Sequence, residues 1–487
     1  MRLSELMAGM AVAGLAGATE VSGIAHDSRR VRPGDLFVAF IGRHHDGRAF
    51  VPEAMERGAA AVLAPGPAPE DAAVPWLTAD DPRRLLGPLA ARFWHHPDRR
   101  LVMVGVTGTN GKSTVVAVVA AVLEAAGWPT GILGTLGYRF RDLELPGERT
   151  TPEASDLFAT LARMREAGAA AVAMEVSSHA LAQGRVAGAG FDVAVFTNLT
   201  RDHLDFHGDL EEYFQAKRGL FAQLKPEGRE TVNVADPHGR RLAAELGGAL
   251  TFGEGGEVAA RGVVLDAAGI RGTIVSPRGE YAFASPLLGR FNLENLLAAA
   301  AAAEVLALPH AAVAAGFAAR GPLPGRLEPV AAGQPFPVLV DYAHTEAALE
   351  AALASVRELT GKRIALVFGC GGDRDPGKRA AMGRVAGALA DLPIVTSDNP
   401  RGEDPLTIIA AIEQGLRQSG NRSYRVVPDR REAIRRVVAV AEKGWVVLVA
   451  GKGHESVQVV GEEALPFSDR KELTKALEER FGSAARR

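Results

Sequence analysis

Short apolar runs, bounded by polar or glycine-containing segments, recur along the chain with helical patterns between them. In the N-terminal region the runs Asp35–Phe40 and Ala59–Leu63 are of this kind, and polar loops such as His26–Arg29 lie around them. Apolar runs of this length that alternate with helical stretches are typical of buried strands in α/β proteins. The pattern therefore predicts α/β architecture.

The central region repeats the pattern. The buried-type strand Leu101–Val106 leads into a glycine-containing loop and then a helix from about Lys112 to Ala126, which Gly127 ends. Because ligands of parallel sheets gather at the carboxyl ends of the strands, site residues are expected in the loops that follow them. Further strands are predicted at Ala171–Val176, Asp192–Thr197 and Thr231–Val234.

Two segments interrupt the pattern and predict domain boundaries. The first is His95–Arg100, and the second is Pro322–Pro337, whose five prolines are typical of a linker. Beyond the linker, strands again alternate with helices, which predicts a second doubly wound sheet. These strands are predicted at Val338–Asp341, Ile364–Phe368, Ile394–Thr396 and Val446–Ala450. The predicted fold is α/β with three domains, 1–97, 98–326 and 327–487: the central one has a P-loop-type parallel sheet and the last is Rossmann-like.

Composition narrows the class of protein. A chain of 487 residues is too long for one core, and 47% apolar with 23% charged residues excludes a mainly disordered chain. A net charge of −3 argues against a general nucleic-acid binder. The single cysteine, Cys370, excludes an internal disulfide, suits a reducing compartment and is interpreted as a packed core residue.

No apolar run reaches the roughly 18–20 residues of a membrane span. Met7–Thr19 resembles the apolar part of a signal peptide, but Glu5 stands where a positive charge is expected. We therefore expect a cytoplasmic protein without stable membrane insertion.

The strongest motif is Thr107–Thr114, a glycine loop between a strand and a helix. Backbone N–H groups in such a loop surround phosphate oxygens, and the helix dipole favours the anion. Lys112 would neutralise β- and γ-phosphate charge, and the Ser113 hydroxyl would bind Mg²⁺. Val106 departs from the strict pattern, which has glycine there. The motif predicts a nucleoside triphosphate site formed by Gly108, Thr109, Asn110, Gly111, Lys112, Ser113 and Thr114.

Two further positions are candidate metal ligands. Glu175 ends a strand, where a carboxylate can hold Mg²⁺; Ser177, which follows, can equally cap the next helix. His203, after the strand Asp192–Thr197, is either a second ligand or a turn residue.

Lys217 occupies an unusual place in a helical pattern. Asp209 and Glu212 have the spacing of a capping box, and position 217 falls in the apolar stripe of the helix that follows. A lysine there either snorkels to solvent or is desolvated, which favours the neutral amine. A neutral amine can take up CO₂ as a carbamate, whose oxygens resemble those of a carboxylate.

Other residues are candidates for nucleotide contacts. The amides of Asn292 and Asn295 can bond an adenine edge, although Asn292 can also cap the alanine-rich helix. Asp341 can accept ribose hydroxyl bonds, and Arg326, in the linker, can reach a γ-phosphate.

Three strand-end loops of the C-terminal region combine arginines, acids and amides. They are Gly369–Asp375, Asp398–Arg401 and Gly451–Glu455. Arginine holds a carboxylate bidentately, and acids hold ammonium groups, so the loops predict a pocket for a zwitterion.

Taken together, these motifs resemble the Mur ligase family over essentially the whole chain. The residues that carry the resemblance are Asp27–Arg29, Thr107–Thr114, Glu175–His179, Thr197–Leu199, Arg201–Asp205, Lys217, Asn292, Asn295, Asp341–His344, Asp398–Arg401 and Gly453–Glu455. The resemblance implies an ATP- and Mg²⁺-dependent ligase of peptidoglycan synthesis, acting as a monomer without nucleic acid. It implies that meso-2,6-diaminopimelate is joined to the D-glutamate γ-carboxylate of UDP-N-acetylmuramoyl-L-alanyl-D-glutamate, with L-lysine as the alternative amine.

The resemblance also implies roles for individual residues. It places the UDP substrate in the first domain, ATP in the central domain and the amino acid in the last. The implied catalytic residues are Lys112, Lys217, Arg326 and His203, and the implied metal ligands are Ser113, Glu175, His203 and carbamylated Lys217. The implied ATP contacts add Asn292, Asn295, Asp341 and His344 to the glycine loop. The implied UDP-substrate contacts are Ser28, Arg43, His44, His45, Thr150, Thr151, Ser177, Gln183 and Arg185. The implied diaminopimelate contacts are Arg374, Asp398, Asn399, Pro400, Arg401, Gly451 and Glu455.

Three other functions fit the residues less well. A P-loop GTPase or motor would lack the C-terminal arginine-and-acid pocket. A lysine-adding ligase or a folylpolyglutamate synthetase would lack Arg401 or the N-terminal uridine-type loop. A non-catalytic nucleotide-binding scaffold would have no need of Lys112, Ser113 and Glu175.

Overall fold

The structure is a computed structural model that describes residues 1–14, 18–42, 45–70, 72–145, 147 and 149–482. Within these ranges, none of the helices combines the length and the apolar character that a bilayer span requires.

Helices and strands alternate along most of the described chain. The helices are α1 (Leu3–Leu6), α2 (Val51–Glu56), α3 (Pro82–Phe93), α4 (Lys112–Ala125), α5 (Ala154–Glu166), α6 (Ser178–Ala182), α7 (Leu204–His207), α8 (Leu210–Arg218), α9 (Pro237–Leu246), α10 (Arg290–Val305), α11 (His310–Ala319), α12 (Glu346–Thr360), α13 (Gly377–Leu389), α14 (Pro405–Gln418), α15 (Arg430–Val440) and α16 (Asp469–Phe481). The strands of the N-terminal half are β1 (Gly23–Ala25), β2 (Asp35–Val38), β3 (Ala61–Ala64), β4 (Trp76–Thr78), β5 (Val102–Thr107), β6 (Thr130–Gly134), β7 (Gly137–Phe140), β8 (Leu143–Leu145), β9 (Ala171–Glu175), β10 (Phe191–Phe196) and β11 (Leu224–Asn233). The remaining strands are β12 (Leu250–Phe252), β13 (Ala259–Asp266), β14 (Gly269–Ser276), β15 (Gly279–Ser285), β16 (Glu328–Pro329), β17 (Val338–Asp341), β18 (Arg363–Phe368), β19 (Leu392–Val395), β20 (Arg425–Val426), β21 (Trp445–Ala450), β22 (Val457–Val460) and β23 (Glu463–Pro466).

The chain forms two compact units. The first unit comprises residues 1–107, 127–195 and 215–230, and the second comprises 108–126, 196–214 and 231–487.

Two sheets organise the first unit. A four-stranded parallel sheet has the order β1-β2-β3-β4. Strand β2 is buried on both faces: Leu36 and Val38 enter one apolar cluster and Phe37 enters another. The second sheet has the order β10-β5-β9-β6-β7-β8, in which β5, β9 and β6 run parallel and β7 and β8 are antiparallel additions.

The second unit begins with the helix after the glycine loop. Helices α10 and α11 both pack against α4. Close packing depends on small residues, since a Cβ at Gly316 of α11 would lie 2.6 Å from the Cα of Val122. The alanine run Ala298–Ala303 is buried in the same layer. Strands β13, β14 and β15 form an antiparallel sheet that the sequence pattern did not predict.

The C-terminal part of the second unit is a doubly wound sheet of order β16-β17-β21-β18-β19-β20. From β17 to β20 all neighbours are parallel. Alternate residues of β18 face opposite sides: Ile364, Leu366 and Phe368 pack with α12, α13 and α14, and Ala365 and Val367 pack with α15 and α16. The carboxyl ends of β17, β18, β19 and β21 therefore share one edge of the sheet.

The predicted α/β class and C-terminal doubly wound sheet are confirmed. The linker prediction needs one correction: Glu328–Pro329 pairs as β16 with β17 at the sheet edge, a position that tolerates proline. Cys370 is buried against Met382, and burial raises the pKa of its thiol to about 12. This agrees with its interpretation as a packed residue.

Candidate active site

The glycine loop, residues 108–111, lies at the start of α4 in the second unit. Gly108 and Gly111 have φ values of +149° and +88°. A Cβ at Gly108 would lie 1.9 Å from Thr197 Oγ1, and one at Gly111 would lie 2.3 Å from Asn295 Oδ1. Both positions therefore require glycine for steric as well as conformational reasons.

The segment after β10 holds this loop in place. The backbone N–H of Thr109 donates to Asn198 O, and that of Asn110 donates to Asn198 Oδ1, both at 2.9 Å. The Thr197 hydroxyl donates to Asn110 O at 2.6 Å. The segment Thr197–Asn198 thus orders the loop, a role that the sequence analysis did not predict.

The cationic side chains of the predicted phosphate site lie close to the loop. Lys112 Nζ donates to the carbonyls of Gly108 and Thr109, both at 2.9 Å. Arg326 Nη2 donates to Ser113 Oγ at 3.4 Å, and its guanidinium lies 4.9 Å from the ring centroid of Tyr342. The structure therefore brings the linker arginine to the first turn of α4.

A cavity of about 240 Å³ opens beside the loop within the second unit. Of the predicted nucleotide contacts, it is lined by Asn110, Gly111, Thr114, Asn295, Arg326, Asp341 and His344. Asp341 accepts hydrogen bonds from the N–H groups of Leu327 and Ala343, at 2.7 and 2.8 Å. Burial raises the pKa of Asp341, and the charge of Arg326 opposes that rise.

The structure contradicts one interpretation of the two asparagines in α10, namely that Asn292 caps the helix. Helix α10 begins at Arg290 with Gly289 as its N-cap, so the interpretation of Asn292 as the cap is wrong. Asn292 Nδ2 donates to Leu288 O at 2.7 Å, and Asn295 Nδ2 donates to Asn292 Oδ1 at 2.9 Å. The resulting chain of amides leaves Asn295 on the cavity wall.

Some cavity residues were missed by sequence reasoning. Asn233, at the end of β11, donates through Nδ2 to Thr197 O and to Glu294 Oε2, both at 2.8 Å. Its place at the carboxyl end of a strand was the signal that could have identified it. Phe252 and Phe291 line the same cavity without any local motif.

Asp202 links two histidines of the predicted site. Its Oδ2 atom lies 3.5 Å from His203 Nε2 and 3.7 Å from His344 Nε2. Burial opposes ionisation, but the hydrogen bond to His344 and the nearby positive charges hold the pKa of Asp202 below its usual range. His203 has a left-handed backbone, with φ +56°, and lies directly before α7.

Glu175 and its neighbours lie in the first unit. The buried Glu175 carboxylate accepts from Thr135 N through Oε1 at 2.8 Å and from Thr135 Oγ1 through Oε2 at 3.3 Å. Ser177 caps α6 by accepting from Ala180 N, which confirms the capping interpretation. Thr151 Oγ1 donates to Glu175 O at 2.9 Å and accepts from Ser177 N at 3.0 Å. The hydroxyl oxygens of Thr150 and Thr135 lie 3.0 Å apart and share a hydrogen bond.

Lys217 is buried, with 1% of its surface exposed, so its side chain does not snorkel to solvent. Asp209 caps its helix as predicted, because Glu212 N donates to Asp209 Oδ1 at 2.8 Å. Asp209 N donates to His207 O at 3.0 Å, so the reciprocal bond of the predicted capping box is replaced by a backbone bond. Among the described residues no cluster of three or more His, Cys, Asp or Glu side chains is placed to hold a metal ion. Of the predicted ligands, Ser113, Glu175 and carbamylated Lys217 offer oxygen donors, which suit Mg²⁺, and His203 would add a nitrogen donor. Mg²⁺ is commonly held by one or two carboxylates and substrate phosphates.

Arg185, a predicted UDP-substrate residue of the first unit, belongs to a cluster of three arginines around Glu153. Arg185, Arg83 and Arg149 each lie 3.0–3.2 Å from its carboxylate. Arg185 Nη2 also donates to Gln183 Oε1 at 2.5 Å. The cluster carries more positive than negative charge, which suits an anionic ligand.

The predicted uridine-end residues are described only in part. Ser28 Oγ donates to Glu53 Oε2 at 2.7 Å, and the His45 ring meets Phe50 edge to face. Arg43 and His44 lie outside the described residues.

The predicted amino-acid pocket lies at the carboxyl edge of the C-terminal sheet. Asn399 Nδ2 donates to Glu455 Oε2 at 2.8 Å, and Arg401 Nη1 donates to Gly372 O at 2.7 Å. Burial lowers the pKa of Arg401, and the positive charge of Arg374 lowers it further. A Cβ at Gly451 would lie 2.6 Å from Asp398 Oδ2. Pro400 lies between Asn399 and Arg401 in the same loop. The positive charges of Arg401 and of Arg374, from a neighbouring loop, favour a carboxylate ligand.

Comparison with known proteins gives consistent results along the chain. The model of the Mur ligase family, catalytic domain, matches residues 20–94, that of the Mur ligase middle domain matches 106–303, and that of the Mur ligase, glutamate ligase domain, matches 325–453. A Geobacter metallireducens protein named UDP-N-acetylmuramoyl-L-alanyl-D-glutamate–2,6-diaminopimelate ligase is 46% identical over 485 residues, which cover 95% of each chain.

Solved structures extend the similarity to the fold. One of a UDP-N-acetylmuramoyl-L-alanyl-D-glutamate–2,6-diaminopimelate ligase has a TM-score of 0.69 and 32% identity, covering 99% of both chains. The structure of a MurF ligase from Thermotoga maritima in complex with ADP has a TM-score of 0.68 at 19% identity, and covers 95% of this chain and 99% of that one. At that identity the second similarity concerns the fold alone.

Proposed function

The chain belongs to the Mur ligase family, and from that premise we propose that it joins meso-2,6-diaminopimelate to the D-glutamate γ-carboxylate of UDP-N-acetylmuramoyl-L-alanyl-D-glutamate at the expense of ATP. One observation carries the proposal: the glycine loop, Arg326 and the Asp341–His344 segment surround a single cavity. The relative from Geobacter metallireducens, whose name states this reaction, supports the choice of substrates.

The proposed reaction activates the acid before the amide forms. A γ-carboxylate oxygen attacks the γ-phosphorus of ATP, the bond to the β–γ bridging oxygen breaks, and ADP leaves. The amine of diaminopimelate then attacks the acyl phosphate, the tetrahedral intermediate loses inorganic phosphate, and the amine loses a proton. ATP is needed because an unactivated carboxylate oxygen is a poor leaving group.

Charge stabilisation by the second unit supports this chemistry. We assign Lys112 and Arg326 to the transferring phosphoryl group, where fixed positive charge is usually the main catalytic contribution. The backbone N–H groups of the glycine loop and Asn295, Asp341 and His344 would hold the rest of the nucleotide. Mg²⁺, when bound, would neutralise further charge on the triphosphate.

The proposed metal ligands are Ser113, Glu175, His203 and carbamylated Lys217. Carbamylation of Lys217 requires a neutral amine, and its burial supports that requirement. In the modification the neutral amine adds CO₂ and loses a proton, and the resulting carbamate presents oxygen donors.

The remaining candidate residues are assigned to the UDP-linked substrate and to diaminopimelate. For the UDP substrate these are Ser28, Arg43, His44, His45, Thr150, Thr151, Ser177, Gln183 and Arg185. For diaminopimelate they are Arg374, Asp398, Asn399, Pro400, Arg401, Gly451 and Glu455. Arg401 is assigned to the distal carboxylate, which L-lysine does not possess. We also propose that the chain has three domains, with bounds 1–97, 98–326 and 327–487. Its proposed location is the cytoplasm.

Phosphate release tests the proposal directly. Purified protein is supplied with ATP, Mg²⁺ and the UDP-linked dipeptide, and then with meso-diaminopimelate, L-lysine or no amino acid. We expect release and a lengthened muropeptide with diaminopimelate only. Equal release in all three conditions would overturn the proposed ligase, and faster release with lysine would replace the amine substrate.

A further inference from the structure

Lys452 is a buried lysine with no role in the reaction as proposed above. It lies just after β21, and its side chain has 0% of its surface exposed. Its Nζ atom donates to Asn399 Oδ1 at 2.7 Å and to Glu455 Oε2 at 2.8 Å. A buried ammonium is costly unless it is paired and hydrogen-bonded. Both of its partners are residues assigned to diaminopimelate.

The three side chains close into a ring. Asn399 Nδ2 donates to the same Glu455 oxygen at 2.8 Å, so each member bonds both others. Glu455 retains solvent access, with 28% of its side chain exposed, whereas Lys452 has none. A ligand could therefore reach the carboxylate but not the ammonium that stands behind it.

The ring fixes which way the Asn399 amide points. Its Oδ1 atom accepts from Lys452 Nζ and also from Val459 N at 3.0 Å. Both neighbours are donors only, so an oxygen must face them, and the amide nitrogen must face the Glu455 carboxylate. One Nδ2 hydrogen is used in the ring, and the other is left to donate to a ligand.

The hairpin β22–β23 anchors the same loop. Arg401 N donates to Val459 O at 3.1 Å, and Gly461 N donates to Arg401 O at 2.8 Å. Gln458 Nε2 donates to Asp398 O at 2.6 Å. The backbone of the Asp398–Arg401 loop is thus held by the hairpin, while the side chains of Asn399 and Glu455 are held by Lys452.

We propose that Lys452 is a positioning residue for the amino-acid substrate. It holds the Asn399 amide and the Glu455 carboxylate as an adjacent donor and acceptor, the pair that a carboxylate and an ammonium of one amino acid would need. Lys452 acts through these two residues and does not touch the substrate. The inference rests on the proposed function. The competing explanation, an ion pair that only stabilises the fold, predicts no selective effect on one substrate.

Steady-state phosphate release with each substrate varied in turn separates these explanations. Lys452→Met keeps the length of the side chain and removes the charge and the donors. We expect the KM for meso-diaminopimelate to rise roughly tenfold or more, because a displaced Asn399 amide or Glu455 carboxylate would lose its hydrogen bond to a charged group of the substrate. The KM values for ATP and the UDP-linked dipeptide should stay within about twofold, since neither substrate is assigned to a residue of the ring.

Lys225→Met is the matched control. Lys225 also pairs with a carboxylate and a carbonyl, donating to Asp192 Oδ2 at 2.6 Å and to Leu101 O at 2.9 Å, but it lies in the first unit. Its replacement should lower the melting temperature without a selective rise in any KM. If Lys452→Met unfolds, Lys452→Gln, which is neutral but keeps an N–H donor, is measured instead, with a smaller selective rise expected.

A double-mutant cycle shows whether Lys452 acts through Asn399. Adding Lys452→Met to Asn399→Ala should raise the KM for diaminopimelate little further, because the amide it orients is already absent. Full additivity, or equal changes in all three KM values, would overturn the positioning role while leaving the ligase proposal intact. A wild-type protein without diaminopimelate-dependent release would overturn the proposed function, and with it the substrate named here.

Discussion

Arg326 Nη2 lies 3.4 Å from Ser113 Oγ, although 213 positions separate the two residues in the chain. The contact joins the proline-rich linker to the first turn of α4. Tyr342, which follows β17, stacks beneath the same guanidinium. The arginine is therefore held where the helix N-terminus and the glycine loop would meet a triphosphate, and it is available to phosphate without a long movement of the linker.

Replacing Arg326 should reduce the rate more than nucleotide binding. For Arg326→Ala we expect kcat to fall about a hundredfold or more, as is typical when a preorganised charge that stabilises the transition state is lost. The KM for ATP should change only a few fold, because the glycine loop remains. Arg357→Ala, which removes an exposed arginine paired with Asp391, is the control and should retain full activity. A large rise in the KM for ATP with unchanged kcat would contradict the assignment.

Replacing Lys217 should abolish most activity through the loss of an oxygen donor. We expect Lys217→Ala to be nearly inactive and not restored by bicarbonate, because no amine remains to be carbamylated. A short carboxylic acid that fits the vacated space should restore part of the phosphate release. Arg218→Ala, on the exposed face of the same helix, is the control. Full activity of Lys217→Ala would rule out the carbamate.

The C-terminal sheet was predictable because its strands are buried on both faces. Such strands form continuous apolar runs, and the predicted Ile364–Phe368 differs from β18 by one residue. Strands β13–β15 were missed for the opposite reason. They carry glycine, arginine and threonine on exposed faces, so their pattern resembles that of loops.

The site was predictable where one short segment carries the chemistry. The glycine loop and the Asp398–Arg401 loop are of this kind, since the residue types and spacing alone suggest phosphate and carboxylate ligands. Lys452 was not predictable, because its function depends on a partner 53 positions away. Asn292 was misread as a cap because the sequence does not show that α10 begins two residues earlier.

Replacing Arg401 should raise the KM for diaminopimelate selectively. Arg401 has φ +51°, and alanine pays a similar conformational cost there, so Arg401→Ala mainly removes the guanidinium. We expect the KM for meso-diaminopimelate to rise roughly tenfold to a hundredfold through loss of a carboxylate partner, with little change in the KM for ATP. Arg422→Ala, on an exposed loop, is the control. Equal losses for both substrates would argue against the pairing.

Breaking the buried pair Arg430–Asp469 should destabilise the protein. Arg430 Nε and Nη2 donate to the two carboxylate oxygens of Asp469, both at 2.7 Å, and both side chains are fully buried. Asp469→Asn removes the carboxylate that pairs with the buried arginine and leaves a longer contact, 3.8 Å from Arg430 Nη1 to Asp398 Oδ2. The expected cost is about 3–5 kcal/mol in the free energy of unfolding. The exposed pair Arg436–Glu432 provides the control, where Glu432→Gln should cost no more than about 1 kcal/mol. Urea unfolding measures both, and equal effects would contradict the prediction.

His454 should make the folded protein sensitive to mild acid. Burial of the ring, together with the positive charge of Arg326, lowers its pKa from the ordinary 6.5 to about 4. Its Nδ1 atom is buried and has no hydrogen-bond partner among the described residues. No hydrogen bond at this atom therefore compensates for the loss of solvent around the charged ring. Between pH 6.5 and pH 4 the unfolded chain therefore binds a proton that the folded protein does not.

Because the unfolded chain binds the extra proton, lowering the pH favours unfolding. Folding stability is unaffected by His454 well above pH 6.5 and falls as the pH is lowered towards 4, by at most about 1.4 kcal/mol per pH unit. His454→Gln removes the titrating ring. The loss of unfolding free energy between pH 7 and pH 5 should therefore be smaller in this variant than in the wild type, by up to about 2 kcal/mol. Urea unfolding at the two pH values measures the difference, with His95→Asn, at an exposed position, as the control. The same pH dependence in wild type and His454→Gln would show that His454 titrates alike in the folded and unfolded chain.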